Sequence, residues 1–196
     1  MNPKPDYDRL YETAEGQAGY FTAKQARKLG FSWERLSDNV KRGRFLRIFR
    51  GIYRLAHFPS STHEDLFVAW LRTGPNSIIS HESALTIYDL SDVLASEVHV
   101  IIPRTASRRR QGLRLHTNCL KPEEITNRQG LPVTTVARTI ADVAINGLAE
   151  EQVIQAIREA LQRGQATREE LMAQAVYQGG RAKKIIHETL TGSLPS

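Results

Sequence analysis

Hydrophobic and polar residues near the N-terminus follow the spacing of short helices. Leu10 and Ala14 predict a first helix over residues 7–18. Thr22 and Gln25 have the spacing of a capping box, in which a threonine hydroxyl accepts a hydrogen bond from the third helical amide and the glutamine side chain reaches back. This pair predicts the start of a second short helix, which runs to about residue 29.

A third helix is predicted between Ser32 and Arg42. Ser32 is a suitable N-cap, and Phe31 and Leu36 occupy the two positions of a hydrophobic staple. Gly30 separates this helix from the preceding one, as glycine does after a helix C-terminus. Two short helices joined by a short turn at a glycine predict a helix-turn-helix.

Aromatic and β-branched residues follow directly, in the segment from Arg44 to Leu55. They flank the pair Arg50-Gly51, which predicts a two-stranded hairpin with a tight turn. A hairpin that directly follows the second helix of a helix-turn-helix is a wing. Residues 1–57 are therefore predicted to form a winged helix-turn-helix domain.

Residues 58–196 are predicted to form a separate domain. An apolar run at 97–103 is typical of a buried strand, and alternating residues at 112–117 predict its partner. From Thr135 the pattern is helical almost to the end, with the last three helices near 149–163, 167–177 and 180–191. The expected fold class is α+β, with helices packed on a small, mostly antiparallel sheet in this second domain.

Positive charge is concentrated in the first domain. The chain carries a net charge of +6, and residues 1–57 alone hold 12 Lys and Arg against 6 Asp and Glu. From Lys24 to Arg54 ten residues are basic and only Glu34 and Asp38 are acidic. This distribution favours a polyanionic partner, although a solvated surface that aids solubility also explains it.

The third helix and the hairpin carry the residues that we expect to contact double-stranded DNA. Arg35 can donate two hydrogen bonds to guanine, and Ser37 can contact a base or a phosphate. Arginines on the hairpin suit phosphates or a narrow minor groove. Trp33 either packs against the first helices or the sugar backbone, or reads bases. The predicted DNA contacts are Ser32, Trp33, Arg35, Ser37, Lys41, Arg42, Arg44, Arg47, Arg50 and Arg54.

Polar residues in the second domain form no complete catalytic pattern. Ser80, His81 and Glu82 are neighbours in sequence, which is typical of a helix N-terminus and not of a triad assembled in space. Arg138 and Asp142 are four residues apart and are predicted to pair, partly buried, along a helix. The candidate functional surface of this domain comprises His81, Arg108, Arg109, Arg110, Arg138 and Asp142.

Metal and cofactor sites are not indicated by the sequence. His99 and His116 can face each other across two strands, but two histidines without a third ligand support a metal site only weakly. The single cysteine, Cys119, excludes a zinc site built on several cysteines. We expect no catalytic residue, no cofactor and no bound metal.

The remaining composition fits a cytoplasmic protein without a membrane partner. No stretch approaches 18 consecutive apolar residues, which argues against a membrane span. The N-terminal residues lack the apolar segment of a secretion signal. A lone thiol is consistent with a reducing compartment.

Several short motifs resemble those of the AbiEi-type antitoxin family, and their order and spacing agree with it from about Gly16 to Leu161. The motifs are Gly19-Tyr-Phe-Thr22, Gln25-Ala26, Gly30-Phe31-Ser32, Gly43-Arg-Phe-Leu-Arg47, Arg50-Gly-Ile-Tyr-Arg54, Ser80-His81-Glu-Ser-Ala-Leu85, Val98–Pro103 and Pro132–Asp142.

The resemblance implies an N-terminal winged helix-turn-helix that represses its own operon and a C-terminal antitoxin domain. Members of the family are type IV antitoxins of phage-defence systems, which oppose a nucleotidyltransferase-like toxin without needing a stable complex. Some relatives carry a further nuclease-like domain, and we expect none in this chain. If the operator contains inverted half-sites, two copies bind to it.

Two alternatives remain open from the sequence. The protein could be a ligand-responsive winged-helix regulator without a toxin partner, in which the second domain binds a small molecule. It could also process RNA or nucleotides, although the paired carboxylates or nucleophile motif of such an enzyme are missing. A protein-binding adaptor is a weaker option, because it has no need of an arginine-rich wing.

Overall fold

The computed structural model of the chain describes residues 4–90, 96–106 and 110–192. Its helices and strands form an α+β fold, which confirms the expected class. They divide into two compact units, one formed by residues up to Pro75 with Gln129–Leu131 and the other by Asn76–Arg128 with the residues from Pro132. Within the described ranges, no helix is long and apolar enough to cross a membrane.

The first unit is a winged helix-turn-helix, as predicted. Its three strands form an antiparallel sheet in the order β1-β3-β2. The wing is the hairpin of β2 and β3. The elements are α1 (Tyr7–Glu15), β1 (Tyr20–Thr22), α2 (Ala23–Lys28), α3 (Trp33–Lys41), β2 (Phe45–Phe49), β3 (Ile52–Leu55) and α4 (Glu64–Thr73).

Local capping signals set the starts of α2 and α3. The amide of Gln25 donates to the Thr22 hydroxyl at 3.1 Å, and the Thr22 amide donates to the Gln25 side chain at 2.7 Å. The predicted capping box is therefore confirmed. Ser32 caps α3 by accepting a hydrogen bond from the Arg35 amide at 3.2 Å. These caps satisfy amides that a helix leaves unpaired at its first turn.

Aromatic side chains fill the core of the first unit. Phe21 of β1 contacts Phe45 of β2 edge to face at 5.0 Å between ring centroids and stacks on Tyr53 of β3 at 5.7 Å. Leu36 is fully buried on the inner side of α3. The core thus fixes α3 against the sheet that continues into the wing.

Helix α4 belongs with the first unit, so the division falls at residue 75 instead of residue 57. It contacts β1 and β3. Its buried residue Phe67 stacks on Tyr20 of β1 with the ring planes nearly parallel, 5° apart. The chain does turn near residue 57, but α4, which follows this turn, packs against the core of the first unit.

The second unit packs five helices on a five-stranded sheet within the residues described. The strands lie in the order β6-β5-β4-β8-β7. The elements are β4 (Ile78–Ile79), α5 (His81–Ile87), β5 (Val98–Ile101), β6 (Leu113–His116), β7 (Ile125–Arg128), β8 (Leu131–Thr134), α6 (Val136–Asn146), α7 (Glu150–Gln162), α8 (Arg168–Gln178) and α9 (Gly180–Thr191).

The sheet of the second unit is mixed, which corrects the expectation of a mostly antiparallel one. Strands β4 and β5 pair antiparallel, but β4 pairs parallel with β8, and β5 pairs parallel with β6. The strand predicted at 112–117 is therefore present, but it runs parallel to β5 instead of antiparallel. The connection between β5 and β6 is longer than a tight hairpin turn, which lets the chain return and run parallel.

Helix α6 is the centre of the second unit. It contacts α5, α7, α8 and α9. Its buried residues include Ile140 and Val143 but also the polar residues Arg138, Thr139 and Asp142. A helix buried on most sides leaves such polar groups without water, so each needs a partner within the protein.

Candidate functional site

Helix α3 and the wing enclose a cleft of about 700 Å³ in the first unit. Four predicted DNA contacts, Trp33, Ser37, Arg47 and Arg50, line it. Its other lining residues are Val40, Gly51 and Tyr53. The structure thus places side chains of the helix and of the wing around one concave surface, as a winged helix-turn-helix requires for simultaneous contact with a groove and a phosphate backbone.

Most of the predicted DNA contacts are exposed. Ser37, Lys41, Arg42, Arg44, Arg47 and Arg50 all lie on the surface. Within the described ranges, no ion pair occupies Arg47 or Arg50. Exposed guanidinium groups without a carboxylate partner are available to phosphate oxygens.

Trp33 is the first residue of α3. The residue is 53% exposed, and the guanidinium of Arg27 in α2 lies over its ring at 5.4 Å. This contact fits the expectation that Trp33 packs against the preceding helices, while the exposed part of its ring still lines the cleft. Arg27, Lys24 and Lys28 are further exposed cations of the basic segment that were not among the predicted contacts.

Arg35 differs from the other predicted contacts. It is half-buried, and its Nη1 atom is enclosed without a hydrogen-bond partner in the described part of the chain. It does not line the cleft, and the buried Asn39 one turn later donates to its carbonyl oxygen at 2.8 Å. The role of Arg35 in reading guanine stays a prediction that this geometry does not favour.

Arg54 was predicted to contact DNA, but its side chain is mostly buried and engaged within the first unit. Its side chain is 11% exposed, its Nη2 atom donates to the Phe58 carbonyl oxygen at 2.8 Å, and Glu64 lies 3.4 Å away. The guanidinium also lies over the Tyr20 ring at 5.7 Å. Arg54 therefore stabilises the first unit from within, because β3 turns this side chain away from solvent.

In the second unit, His81, Arg138 and Asp142 are buried, so they form no surface. This corrects the expectation of a functional surface at these positions. Arg110 is half-buried, whereas Arg108 and Arg109 lie outside the described residues. Any role of the buried residues must therefore act through an internal site or through packing.

Arg138 is the centre of a buried polar network. Its Nε atom donates to both carboxylate oxygens of Asp142 at 2.9 Å, which confirms the predicted pairing. Its Nη1 atom donates to Glu124 at 2.9 Å, and Gln174 donates to the same carboxylate oxygen at 2.9 Å. The two carboxylates hold the pKa of Arg138 above its usual value, although burial alone would lower it.

A second buried polar group consists of three histidines, His81, His99 and His116. Their potential ligand atoms all lie within 4.8 Å of one another. The rings of His81 and His116 stack at 3.7 Å, and Nε2 of His116 lies 3.4 Å from Nδ1 of His99. The expected facing of His99 and His116 is present, and His81 supplies the third imidazole that the sequence did not connect to them.

Charge around these histidines is fixed by burial. Burial lowers the pKa of His81 to about 3 and that of His116 to about 4, so both rings are neutral at physiological pH. Burial would raise the pKa of Glu82, but the hydrogen bond with His99 and nearby groups lower it to about 2. The cluster thus places two neutral imidazoles, those of His81 and His116, beside His99 and one carboxylate, Glu82, whose Oε2 atom lies 2.7 Å from Nδ1 of His99.

A cleft of about 420 Å³ opens separately in the second unit. Tyr88, Glu124, Arg128 and Gln165 are among the residues that line it. Oε1 of Gln165 is buried and lacks a hydrogen-bond partner within the described residues. A small polar molecule could complete the hydrogen bonding of such a cleft.

The fold and the basic cleft of the first unit place this chain among winged helix-turn-helix proteins. Residues 8–56 match the family model of the AbiEi antitoxin transcriptional regulators. The resemblance inferred from the sequence is therefore confirmed over these residues, which include α2, α3 and the wing.

A solved structure shares the fold of the chain. The RV2827C protein from Mycobacterium tuberculosis superposes with a TM-score of 0.58 at 11% sequence identity, covering 96% of this chain and 78% of that one. At this identity the likeness concerns the fold alone. Comparison with curated protein sequences finds no match.

Proposed function

We propose that this protein is a DNA-binding transcriptional repressor of its own operon. The observation that carries the proposal is the cleft between α3 and the wing, where Ser37, Arg47 and Arg50 surround one concave surface. The family model that matches residues 8–56 describes transcriptional regulators and so supports the same function.

In the proposed complex, α3 enters the major groove and the wing follows the adjacent backbone. Ser37 and Lys41 are exposed on α3 and reach bases or phosphates. Arg47 and Arg50 neutralise phosphates or enter the minor groove beside the helix. Two copies on inverted half-sites would place their recognition helices about 34–36 Å apart, one helical turn of DNA.

Footprinting on the DNA upstream of the gene tests this function. The native protein is expected to protect two segments about one helical turn apart, or a multiple of it. The R47A/R50A double variant is expected to lose protection at the same protein concentration. Its matched control is K183A/K184A, which removes two exposed positive charges from α9 in the second unit. Equal footprints for both double variants would exclude the wing from the interface.

We further propose that the protein is the antitoxin of a type IV system and opposes a nucleotidyltransferase-like toxin. This rests on the antitoxin family matched by residues 8–56. The test is co-expression with a toxin gene located beside it. The native chain and the R47A/R50A variant are both expected to restore growth, because the proposal assigns neutralisation to the second unit. No rescue by the native chain would remove the antitoxin role but leave autoregulation intact.

The cleft of about 420 Å³ in the second unit favours one second candidate, a ligand-responsive regulator. A small polar molecule that pairs with the buried Oε1 atom of Gln165 would stabilise the folded protein. The test is thermal unfolding with a panel of small metabolites. A rise in Tm that the Q165A variant abolishes supports this function, whereas no rise for any member of the panel counts against it.

A further inference from the structure

We propose that His81, His99 and His116 form a binding site for one transition-metal dication of the zinc class in the second unit. The three imidazoles come from α5, β5 and β6, so tertiary folding alone brings them together. Among the residues that the structure describes, these three side chains place their ligand atoms close enough together to hold one metal ion. This inference is independent of the DNA-binding function.

The spacing of the nitrogens suits a metal ion. In a tetrahedral site with metal–nitrogen bonds of about 2.1 Å, ligand nitrogens lie about 3.4 Å apart. Nδ1 of His99 and Nε2 of His116 are already 3.4 Å apart. All three ligand atoms lie within 4.8 Å of one another, and rotation of the stacked rings of His81 and His116 about their side-chain bonds is required to bring their lone pairs to one point.

The chemistry of the ligand set also suits this class of ion. Neutral imidazole binds zinc, cobalt, nickel and copper in proteins, whereas magnesium and calcium prefer oxygen ligands. His81 and His99 are buried, with 3% and 4% of their surface exposed, which makes an unbound lone pair costly. Three protein ligands leave one coordination position for a water molecule or another ligand.

The contacts within the cluster leave hydrogen bonding incomplete. Nδ1 of His99 faces two groups at once, Oε2 of Glu82 at 2.7 Å and Nε2 of His116 at 3.4 Å. A single proton on that nitrogen cannot make two strong hydrogen bonds. A cation between the rings instead engages the lone pairs of both histidines.

Glu82 supplies the negative charge that a dication requires nearby. Its side chain is 15% exposed and contacts His99 directly. Oε2 of Glu82 lies against the same nitrogen of His99 that would bind the ion, so it cannot accept a hydrogen bond from the metal-bound ring and instead faces the ion. We therefore assign Glu82 to the fourth coordination position of the site.

Ser80 contacts the ring of His81, and Ser83 contacts the backbone of His99. The Ser80 hydroxyl lies 2.9 Å from Nδ1 of His81, and the Ser83 hydroxyl accepts a hydrogen bond from the His99 amide at 2.9 Å. His81 also has a positive φ of 52°, which is costly for a residue with a side chain. The fold thus keeps His81 in an unfavourable backbone conformation that aims it at the other two rings.

Isothermal titration calorimetry tests the site. The full-length protein is first treated with a chelator and is then titrated with ZnCl₂. One ion per chain is expected, and Co²⁺ in its place should give the visible absorption bands of a tetrahedral site. The H99A and H116A variants are expected to lose binding, and E82Q to bind more weakly because it removes the negative charge beside the ion. The control is H187A, which removes an exposed histidine from α9 and should bind like the native chain.

A measurement on the native protein covers the case in which the histidine variants fail to fold. Long-range ¹H–¹⁵N spectra resolve the ring nitrogens of the six histidines. Stoichiometric Zn²⁺ should shift the signals of His81, His99 and His116 and leave those of His57, His63 and His187 in place. No Zn²⁺ uptake, or shifts confined to the latter three, would overturn the site.

Discussion

The two units use arginine in opposite ways. In the first unit, Arg47 and Arg50 are exposed beside a cleft. In the second unit, Arg138 is 2% exposed and is held by Asp142 and Glu124. Exposed charge without a partner contributes little to stability but can bind a polyanion, whereas a buried and paired arginine fixes how the surrounding elements pack.

The same contrast applies to neighbouring residues in one hairpin. Arg50 lies at the exposed tip of the wing, but Arg54, in β3, is engaged by Phe58 and Glu64. Basic composition therefore indicates where a nucleic-acid interface can lie, and only the structure shows which cations are available to it. Substitutions of single arginines can separate the two roles.

The largest effect is expected from breaking the buried network. The R138A variant leaves the carboxylates of Asp142 and Glu124 buried without their cation, which costs about 3–5 kcal/mol of unfolding free energy. Urea denaturation followed by circular dichroism measures it. The control is R158A, an exposed arginine of α7, which should change stability by less than about 0.5 kcal/mol. Equal stability of the two variants would show that the network is not structural.

Substitution of the wing arginines should change DNA binding but leave stability nearly unchanged. The R47A/R50A variant is expected to keep its stability within about 0.5 kcal/mol per substitution, because both side chains are exposed. If each arginine neutralises one phosphate, the slope of log affinity against log salt concentration falls by about 1.8. Fluorescence anisotropy at several salt concentrations measures the slope, with K183A/K184A as the control. An unchanged slope would place the phosphate contacts elsewhere.

Arg54 sharpens the comparison because it lies in the basic unit but behaves as a core residue. The R54A variant removes the hydrogen bond to Phe58 and is expected to lose about 1–3 kcal/mol of unfolding free energy. At a temperature where it is folded, its salt slope for DNA binding should equal that of the native protein. A lower slope with unchanged stability would return Arg54 to the interface.

The smallest expected effect concerns the cap of α2. The T22A variant removes the hydroxyl that accepts from the Gln25 amide and leaves only the hydrogen bond from the backbone amide of residue 22 to the Gln25 side chain. Loss of such a cap costs about 1 kcal/mol. Thermal unfolding measures it, and T22S, which retains the hydroxyl, should recover most of the stability. If T22S is as unstable as T22A, packing of the threonine methyl group is responsible.

Local signals in the sequence predicted most of the first unit. The capping box at Thr22, the cap at Ser32 and the tight turn at Arg50-Gly51 each depend on residues only a few positions apart. They therefore located α2, α3 and the wing correctly. The membership of α4 in this unit was missed, because the stacking of Phe67 on Tyr20 joins residues far apart in sequence.

The second unit was harder to predict because its organisation depends on distant contacts. Strand β4 has only two residues, Ile78 and Ile79, which is too short for a periodic pattern. Alternation located β6 but carries no information on whether it runs parallel or antiparallel to β5. The pairing of Arg138 with Asp142 was predicted because both lie on one helix.

The histidine cluster shows the same limit. His99 and His116 were connected by the expected pairing of two strands, but His81 was placed, correctly, at a helix N-terminus and was not connected to them. Its positive φ and its stacking on His116 are properties of the folded chain only. A metal site with ligands on three elements was therefore not predicted from the sequence.

The central claim is that the cleft of the first unit binds the DNA upstream of the gene. The direct measurement is equilibrium binding of the full-length protein to that duplex and to a scrambled duplex at 50 and 200 mM salt. The affinity for the upstream duplex should exceed the affinity for the scrambled one. If about four phosphates are neutralised, the affinity for the upstream duplex should also fall roughly 10²-fold at the higher salt concentration. Equal binding to both duplexes that salt does not weaken would contradict the claim.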